Sequence, residues 1–504
     1  MVARLKTSAV SGLDAQTIEV EVYSKLGQSK FTIIGLGDNA VKEARDRVTQ
    51  AIKHSGFRVP NIVLVNLAPA EIKKEGASFD LAIAVGILTA SRQIDIKTVK
   101  NHYFFGELAL DGRVKPLRGL LSLVVSALQD GARTVVVPAE NYAEASLVKG
   151  LDIIPVKSLC ALVKYFIDGE VEIPNVQVRK AAKGGVKSYV SDVSGQQQAK
   201  RAMLIAACGG HNLLMIGPPG CGKSMLASRF PNLLPDLSEE EGMQVVKIHS
   251  VAGLPIEPYI AGSRPFRNPH HIVSDAGLIG GGSTPKPGEI SLAHQGVLFL
   301  DEFPEFRRSA LESLRAPLES GKVQITRAKA SYMFPANFQL IAAMNPCPCG
   351  RLGAKNLVCS CSNSMIQSYL KKLSEPILDR IDIHTELDAV PFSEMTFENK
   401  QSINDDDLIS TVTLARERQH KLRGSLNVKL QIKDINNSVN IAPKALNLIE
   451  KASTQVSLSA RSMVRVIRVA LTIADLDYAD IVETKHVAEA LSFRRLERLR
   501  MHVN

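Results

Sequence analysis

The residues Gly217, Pro218, Pro219, Gly220, Cys221, Gly222, Lys223 and Ser224 stand in an order that binds phosphate. They read G-x-x-x-x-G-K-S and follow the apolar run Asn212-Leu-Leu-Met-Ile216, the strand–loop–helix setting that gives this motif its meaning. Glycines at 217, 220 and 222 let the backbone turn tightly enough to aim successive N–H groups at phosphate oxygens. The start of the following helix adds partial positive charge. In such a loop Lys223 reaches the β- and γ-phosphates and the Ser224 hydroxyl ligates Mg²⁺, so the segment predicts nucleotide binding.

A second apolar run, Val297-Leu-Phe-Leu300, leads straight into Asp301 and Glu302. Beside a phosphate loop, that pair is placed for Asp301 to hold Mg²⁺ and for Glu302 to polarise an attacking water. A third run, Phe338 to Met344, ends in Asn345, whose amide can orient the same water or simply make a turn. Just beyond it, Cys347 and Cys349 precede Cys359 and Cys361. Two C-x-C knuckles can surround Zn²⁺ tetrahedrally, with Pro348 and Gly350 suited to a tight ligand turn; reduced buried cysteines are the alternative. Cys160, Cys208 and Cys221 do not read as catalytic.

These candidates need elements to hold them. The chain has 504 residues, enough for roughly three domains of about 150 residues each. Apolar residues make up 45% and charged residues 22%, an ordinary globular composition that excludes disorder, collagen-like repeats and a disulfide-stapled miniprotein. The longest apolar stretch, Leu81 to Ala90, is far shorter than the roughly 18 residues of a membrane span, and the first residues lack a signal-type apolar segment. A cytoplasmic location without membrane attachment is therefore expected. The net charge of +10 suits a polyanionic partner without proving one.

Residues 1–168 read as one α/β domain, with a helix whose apolar face is Val41, Ala44, Val48, Ala51 and Ile52 and with strands at Ile62–Leu67 and Val135–Val137. Residues 169–191 read as a linker, 192–395 as alternating strands and helices around a largely parallel sheet, and 396–504 as mostly helical. Lys223 and Asp301 are separated by far more chain than the about 30 residues of a strand–helix–strand crossover. The excess includes Arg264–His271 and a glycine-rich loop at 280–288 containing Lys286. His270 and His271 are read as part of a loop or hairpin, with metal ligation as the alternative. Lys322, Arg327 and Lys329 alternate with polar and apolar residues in a second candidate hairpin.

Taken together, GPPGCGKS, VLFLDE and Asn345 resemble the Walker A, Walker B and sensor 1 elements of the AAA+ superfamily. GHNLLMIGPPGCGKSMLA, FRNPHHIVSDAGLIGGGSTPKPGEISLAHQGVLFLDEFPEF, NFQLIAAMNPCPCG and PILDRID are similar to the ComM/YifB group of Mg-chelatase-like ATPases. The fold this resemblance implies is α/β: a P-loop AAA+ domain with a helical lid, preceded by a Lon-protease-like domain. It also implies ATP and Mg²⁺ as cofactors, a homo-hexameric ring with ATP between subunits, Arg380 as an arginine finger, and Arg461 as sensor 2, with Arg465 and Arg468 farther along the same helix. The related lid pattern carries an arginine where this chain has Leu471.

The family's pore insertions fall on the two loops above, making Lys286, Lys322, Arg327 and Lys329 the DNA-contact candidates. The cysteine cluster, which the family carries too, is expected to brace the interface that presents the finger. Ser78 falls on the Lon nucleophile, but Leu121 stands where the base lysine belongs, with Lys115 and Arg118 out of register. A serine without a base stays protonated, so the first domain is expected to be structural or assembly-related. The implied activity is a DNA motor, a helicase or branch-migration enzyme of recombination in natural transformation. The alternative is a chelatase-like or chaperone-type ATPase that remodels a protein partner.

Overall fold

A computed structural model of the chain describes residues 1–35, 39–70, 78–174, 189–282, 285–327, 330–353, 358–389, 404–456 and 459–494. Most of the expected linker, the start of the lid at 396–403, the basic C-terminal segment and Lys329 lie outside these residues. The chain divides into two compact units: Met1–Ala182 with Ser238–Gly262 and Thr284–Lys286, and the remainder.

The first unit is built on a seven-stranded mixed sheet in the order Lys30–Ile34, Ile62–Ala68, Asp14–Lys25, Val2–Ser11, His102–Phe104, Thr134–Pro138, Asp152–Val156. Val2–Ser11 and Asp14–Lys25 form an antiparallel hairpin closed between Ser11 and Asp14, where Gly12 takes the positive φ of 66° the turn needs. The apolar stretch noted in the sequence becomes the helix Asp80–Ala90, with every residue buried. Each of its Leu and Ile side chains contributes about 1.5–3 kcal/mol by leaving water, which explains a helix apolar on all sides.

The segment Ser238–Gly262 lies inside the span the sequence assigns to the ATPase core, yet it is built into this first unit. Its helix, Glu239–Ala252, starts in a capping box between Ser238 and Glu241 and ends on Gly253 at φ 72°. Val246 enters the core beside Phe105 and Leu121. Lys247 pairs with Asp14 at 2.8 Å, and Gly119 N–H donates to Ser250 Oγ at 2.8 Å. Much of the surplus chain between Lys223 and Asp301 is thus a structural strut of the first unit.

Leu121 is fully buried in that core, and its N–H donates to Glu144 Oε1 at 2.9 Å. Burial pushes the Glu144 carboxyl above its ordinary range. Where a protease would need an amine, the chain has a packed leucine over a buried carboxyl. The Ser78 hydroxyl has no hydrogen-bonded base among the described residues.

The second unit holds a five-stranded sheet, ordered Phe266–Arg267, Val297–Leu300, Gln339–Met344, Leu213–Ile216, Ile383–Glu386, with every pairing parallel. Its three central strands are buried on both faces, as a parallel sheet covered by helices requires. The C-terminal helices share one apolar core with the sheet, which gathers Leu213, Ile341 and Ile383 with Val412, Val466, Leu471 and Val487. Leu471 is therefore a packing residue. The helix Asp405–Arg423 carries Asp405, Asp406 and Asp407 in its first turn and His420, Lys421 and Arg423 in its last, matching the helix dipole at both ends. Among the described residues no helix is long and apolar enough to cross a membrane.

Candidate active site

Parallel pairing sets the site. Leu213–Ile216 lies between Gln339–Met344 and Ile383–Glu386, and Val297–Leu300 pairs with the far side of Gln339–Met344. The phosphate loop, the Asp301–Glu302 pair and Asn345 therefore all emerge at the C-terminal ends of three adjacent strands, where open parallel sheets bind their ligands. They meet at a cleft of ≈ 470 Å³ lined by Lys223, Ser224, Asp301, Glu302, Asn345 and His271, among others.

Inside it, the Lys223 side chain is only 8% exposed and its ammonium donates to Gly217 O at 2.7 Å, Pro218 O at 2.8 Å and Asn345 Oδ1 at 3.2 Å. These neutral acceptors satisfy a buried cation that an incoming anion would bind more strongly. Gly220 and Gly222 take φ of 76° and 96°, the left-handed backbone the loop needs. A Cβ on Gly217 would stand 2.6 Å from Leu387 O, so that position admits only glycine. Cys221 is buried, and burial raises its thiol above the ordinary value, which leaves it unreactive.

Ser224 Oγ donates to Asp301 Oδ2 at 2.6 Å, so two hard oxygen ligands face each other as a Mg²⁺ site requires. Glu302 sits at φ 51°, a conformation that costs a bulky residue about 1 kcal/mol or more. Its N–H is held by Asp301 Oδ1 at 2.9 Å, and its Oε2 lies 3.0 Å from His271 Nδ1. That last contact was not legible from spacing, because His271 is brought in by the strand Phe266–Arg267 on the sheet's edge.

The cysteines converge. Cys347, Cys349, Cys359 and Cys361 place their sulfurs within 4.8 Å of one another. Three of the separations are 3.4, 3.7 and 3.6 Å. Sulfurs about 2.3 Å from a tetrahedral Zn²⁺ lie about 3.8 Å apart, whereas a disulfide needs about 2 Å, so the set fits the metal and not a bond. Backbone N–H groups of Arg351 and Ser360 lower the Cys349 thiol to about 5; against a lowering backbone bond from Cys361, loss of water and the Cys349 and Cys347 side chains raise the Cys359 thiol to about 12. This is the only such cluster among the described residues, and His270 and His271 are not part of it.

A Cβ on Gly350 would lie 2.6 Å from Pro219 Cδ, so the cysteine turn abuts the phosphate loop. The expectation that the cluster braces the finger is corrected by this placement. Asn345 ends the strand beside the phosphate-loop strand, and the turn just after it lands on that loop. The purified chain is expected to carry about one zinc ion, and Cys347→Ser to carry less than about a tenth of that; elemental analysis checks both.

Arg380 is elsewhere. Ile383 pairs with Leu213, the first residue of the phosphate-loop strand, so Arg380 lies beyond the opposite end of the sheet from Lys223. Asn212 Nδ2 donates to its carbonyl at 2.8 Å, which fixes that placement. Its guanidinium donates to Arg315 O at 3.1 Å, to Pro376 O and to Glu319 Oε1. It lines a separate cleft of ≈ 1000 Å³ with Glu319, Arg461, Arg465 and Arg468. Arg461 is exposed just inside the helix Ala460–Leu476, whose first turn is capped by Ser459. Arg465 Nε lies 3.9 Å from the buried Asp382, and Arg468 Nε donates to Leu430 O at 2.7 Å. Burial lowers both guanidinium pKa values from their ordinary range. Arg380 and Arg461, expected as finger and sensor 2, line this second cleft together and not the one that holds Lys223.

Lys322 and Arg327 are exposed on the hairpin Lys322–Arg327/Ala330–Pro335, in which Val323 and Ile325 point inward. Lys286 is exposed as well.

The comparisons with known proteins agree along the chain. The family description "Magnesium chelatase, subunit ChlI" matches residues 189–395, "Subunit ChlI of Mg-chelatase" residues 18–141, and "Magnesium chelatase, subunit ChlI C-terminal" residues 405–494. The chain is 40% identical over 498 residues to a protein of Escherichia coli K12 titled "Uncharacterized protein YifB", covering 99% of this chain and 98% of that one. It is also 40% identical over 498 residues to "Competence protein ComM" of Haemophilus influenzae, covering 97% of each. The chain belongs to the ComM/YifB family of Mg-chelatase-like AAA+ proteins. A "Lon protease" of Azospirillum brasilense is 26% identical over 195 residues, 36% of this chain, in keeping with the Lon-like domain of this family. Membership implies use of ATP and Mg²⁺.

Proposed function

We propose that this ComM/YifB-family chain hydrolyses ATP and couples the hydrolysis to movement on DNA as a ring of identical subunits. The observation that carries the ATPase reading is the cleft that brings Lys223, Ser224, Asp301, Glu302 and Asn345 together. Lys223 would bind the β- and γ-phosphates in exchange for its contacts to Gly217 O and Pro218 O. Ser224 and Asp301 would hold Mg²⁺, which when bound neutralises charge on the phosphate oxygens. Glu302 would take the proton of the attacking water, and Asn345 would orient that water. Among the described residues the cleft offers Lys223 but no arginine to meet the further charge of the transition state. Arg380 lies at the opposite end of the sheet, so in this reading it serves the nucleotide of a neighbouring copy. Such a heterologous head-to-tail contact gives a ring when the rotation between neighbours closes, which is the assembly proposed.

The DNA half of the proposal rests on the exposed cations Lys286, Lys322 and Arg327, on the excess of basic residues, and on likeness to a protein titled for competence. Unwinding or branch migration is the work proposed, in recombination during natural transformation. Remodelling of a protein partner is the second reading, and it would leave ATP turnover indifferent to DNA. ATP turnover measured with and without single-stranded and branched DNA tests the choice: a rise supports the motor, and no rise with no binding at low salt refutes it. Binding at phosphates also releases counterions. The double variant Lys322→Ala/Arg327→Ala is expected to reduce the slope of log affinity against log salt by about one for each phosphate no longer neutralised. Titrations at several salt concentrations measure that slope.

A further inference from the structure

In the proposed ring, a finger that serves a neighbouring copy has to let go of its own chain. The Arg380 guanidinium donates to Arg315 O, Pro376 O and the Glu319 carboxylate, and these contacts end when it meets a phosphate elsewhere. What can hold the finger in place through that exchange is its backbone. The tether is Asn212, 9% exposed and the residue just before the strand that leads to the phosphate loop.

Asn212 meets the finger segment with its side chain and with its backbone. Its Nδ2 donates to Arg380 O at 2.8 Å, its carbonyl accepts from Ile383 N–H at 3.1 Å, and its own N–H donates to Asp382 Oδ2 at 3.4 Å. The other end of the same amide faces a different strand, where Oδ1 accepts from Leu340 N–H at 2.8 Å. A carbonyl on one side and an N–H on the other admit only one orientation of the amide. Leu340 belongs to Gln339–Met344, the strand that ends in Asn345. One buried side chain thus joins the base of the phosphate-loop strand, the strand leading to Asn345 and the turn that presents the finger. The bonds made by the Asn212 backbone survive a change of side chain; the tie to Arg380 O does not.

We propose that Asn212 is a positioning residue for the finger: it sets the backbone of Arg380 so that the freed guanidinium reaches a neighbouring copy's nucleotide. The inference rests on the reading of Arg380 given above. It gives a residue on one copy's phosphate-loop strand an effect on hydrolysis in another copy's cleft.

The test is steady-state ATP turnover by the full chain, for single variants and for mixed rings shown to contain both variants. Asn212→Ala is expected to lower kcat about tenfold to a hundredfold, the cost of a small displacement of a reacting group, with KM for ATP unchanged. In an Arg380→Ala background the same change should cost less than about twofold, because the group it positions is gone. Mixed rings then tell which cleft is affected. Combined with Lys223→Ala, which keeps its finger, Asn212→Ala should regain turnover at about a quarter of the interfaces. Combined with Arg380→Ala, which keeps its phosphate loop, it should regain none. The reverse pattern would mean that Asn212 supports its own phosphate loop, and it overturns the proposal. An unchanged kcat, or a full further loss in the Arg380→Ala background, overturns it as well. Should Asn212→Ala fail to assemble, Asn212→Ser is put through the same mixtures and judged by the same outcomes. The mixture of Lys223→Ala with Arg380→Ala is the control for the finger itself. If that control regains nothing, the reading of Arg380 falls and this proposal with it. If it regains turnover while Asn212→Ala with Lys223→Ala does not, the positioning role alone is refuted.

Discussion

Glu302→Gln is expected to bind ATP as tightly as the parent and to turn it over about 10²- to 10⁴-fold more slowly, the usual worth of a positioned general base. The amide is nearly isosteric, so the φ of 51° and the bond from its N–H to Asp301 Oδ1 survive the change. What it loses is the ability to accept a proton from water. The phosphate ligands are untouched, since Lys223, Gly220 and Ser224 belong to a different strand end. Nucleotide affinity by a fluorescent analogue, set against kcat by phosphate release, separates the two effects. Equal loss of both would mean that Glu302 supports the loop and not the chemistry.

Arg380→Ala is expected to lower turnover by about 10³-fold or more, as removing an arginine finger does. The reason is position. Ile383 pairs with Leu213 and Glu386 with Ile216, so a whole strand lies between Arg380 and the loop that carries Lys223. No rotation of one side chain spans that strand, which at about 3.3 Å per residue exceeds any arginine's reach when the turn at its end is added. In the proposed ring, the lost rate would be that of another copy's cleft. Affinity for ATP in dilute, separated subunits should not change. Glu319 adds a second constraint, because it holds the Arg380 guanidinium, on a side chain only 9% exposed. In the proposed ring, a neighbour's phosphate would compete with that carboxylate for Arg380.

Much of this was legible beforehand because the phosphate loop is a local device. Its glycines, Lys223 and Ser224 act through backbone conformation and nearest neighbours, so spacing alone defines them. The cysteine set was legible for the same reason, since thiolate ligands must be brought together wherever the knuckles lie. The fully buried helix Asp80–Ala90 could be noticed as an apolar run but not told from a strand by period, because it has no polar face. What the residues could not reveal were choices made by tertiary packing. Ser238–Gly262 has good helix caps whichever core it joins; only Val246, Lys247 and Ser250 meeting the first unit decide it. His271 approaches Glu302 because Phe266–Arg267 pairs with Val297–Leu298 as the edge strand, a register no motif records. The motif around Arg461 does not say which residues it meets, and the packing of its helix against the sheet sets it beside Arg380.

The central claim is that each nucleotide is hydrolysed between two copies, one giving the phosphate loop and the other the finger. Mixing Lys223→Ala with Arg380→Ala, each inactive alone, tests it most directly. In a ring assembled at random from equal amounts, about a quarter of the interfaces would pair an intact phosphate loop with an intact finger, and ATP turnover should reappear in that proportion. Turnover that stays at the sum of the two separate variants, in rings shown to contain both, would contradict the account.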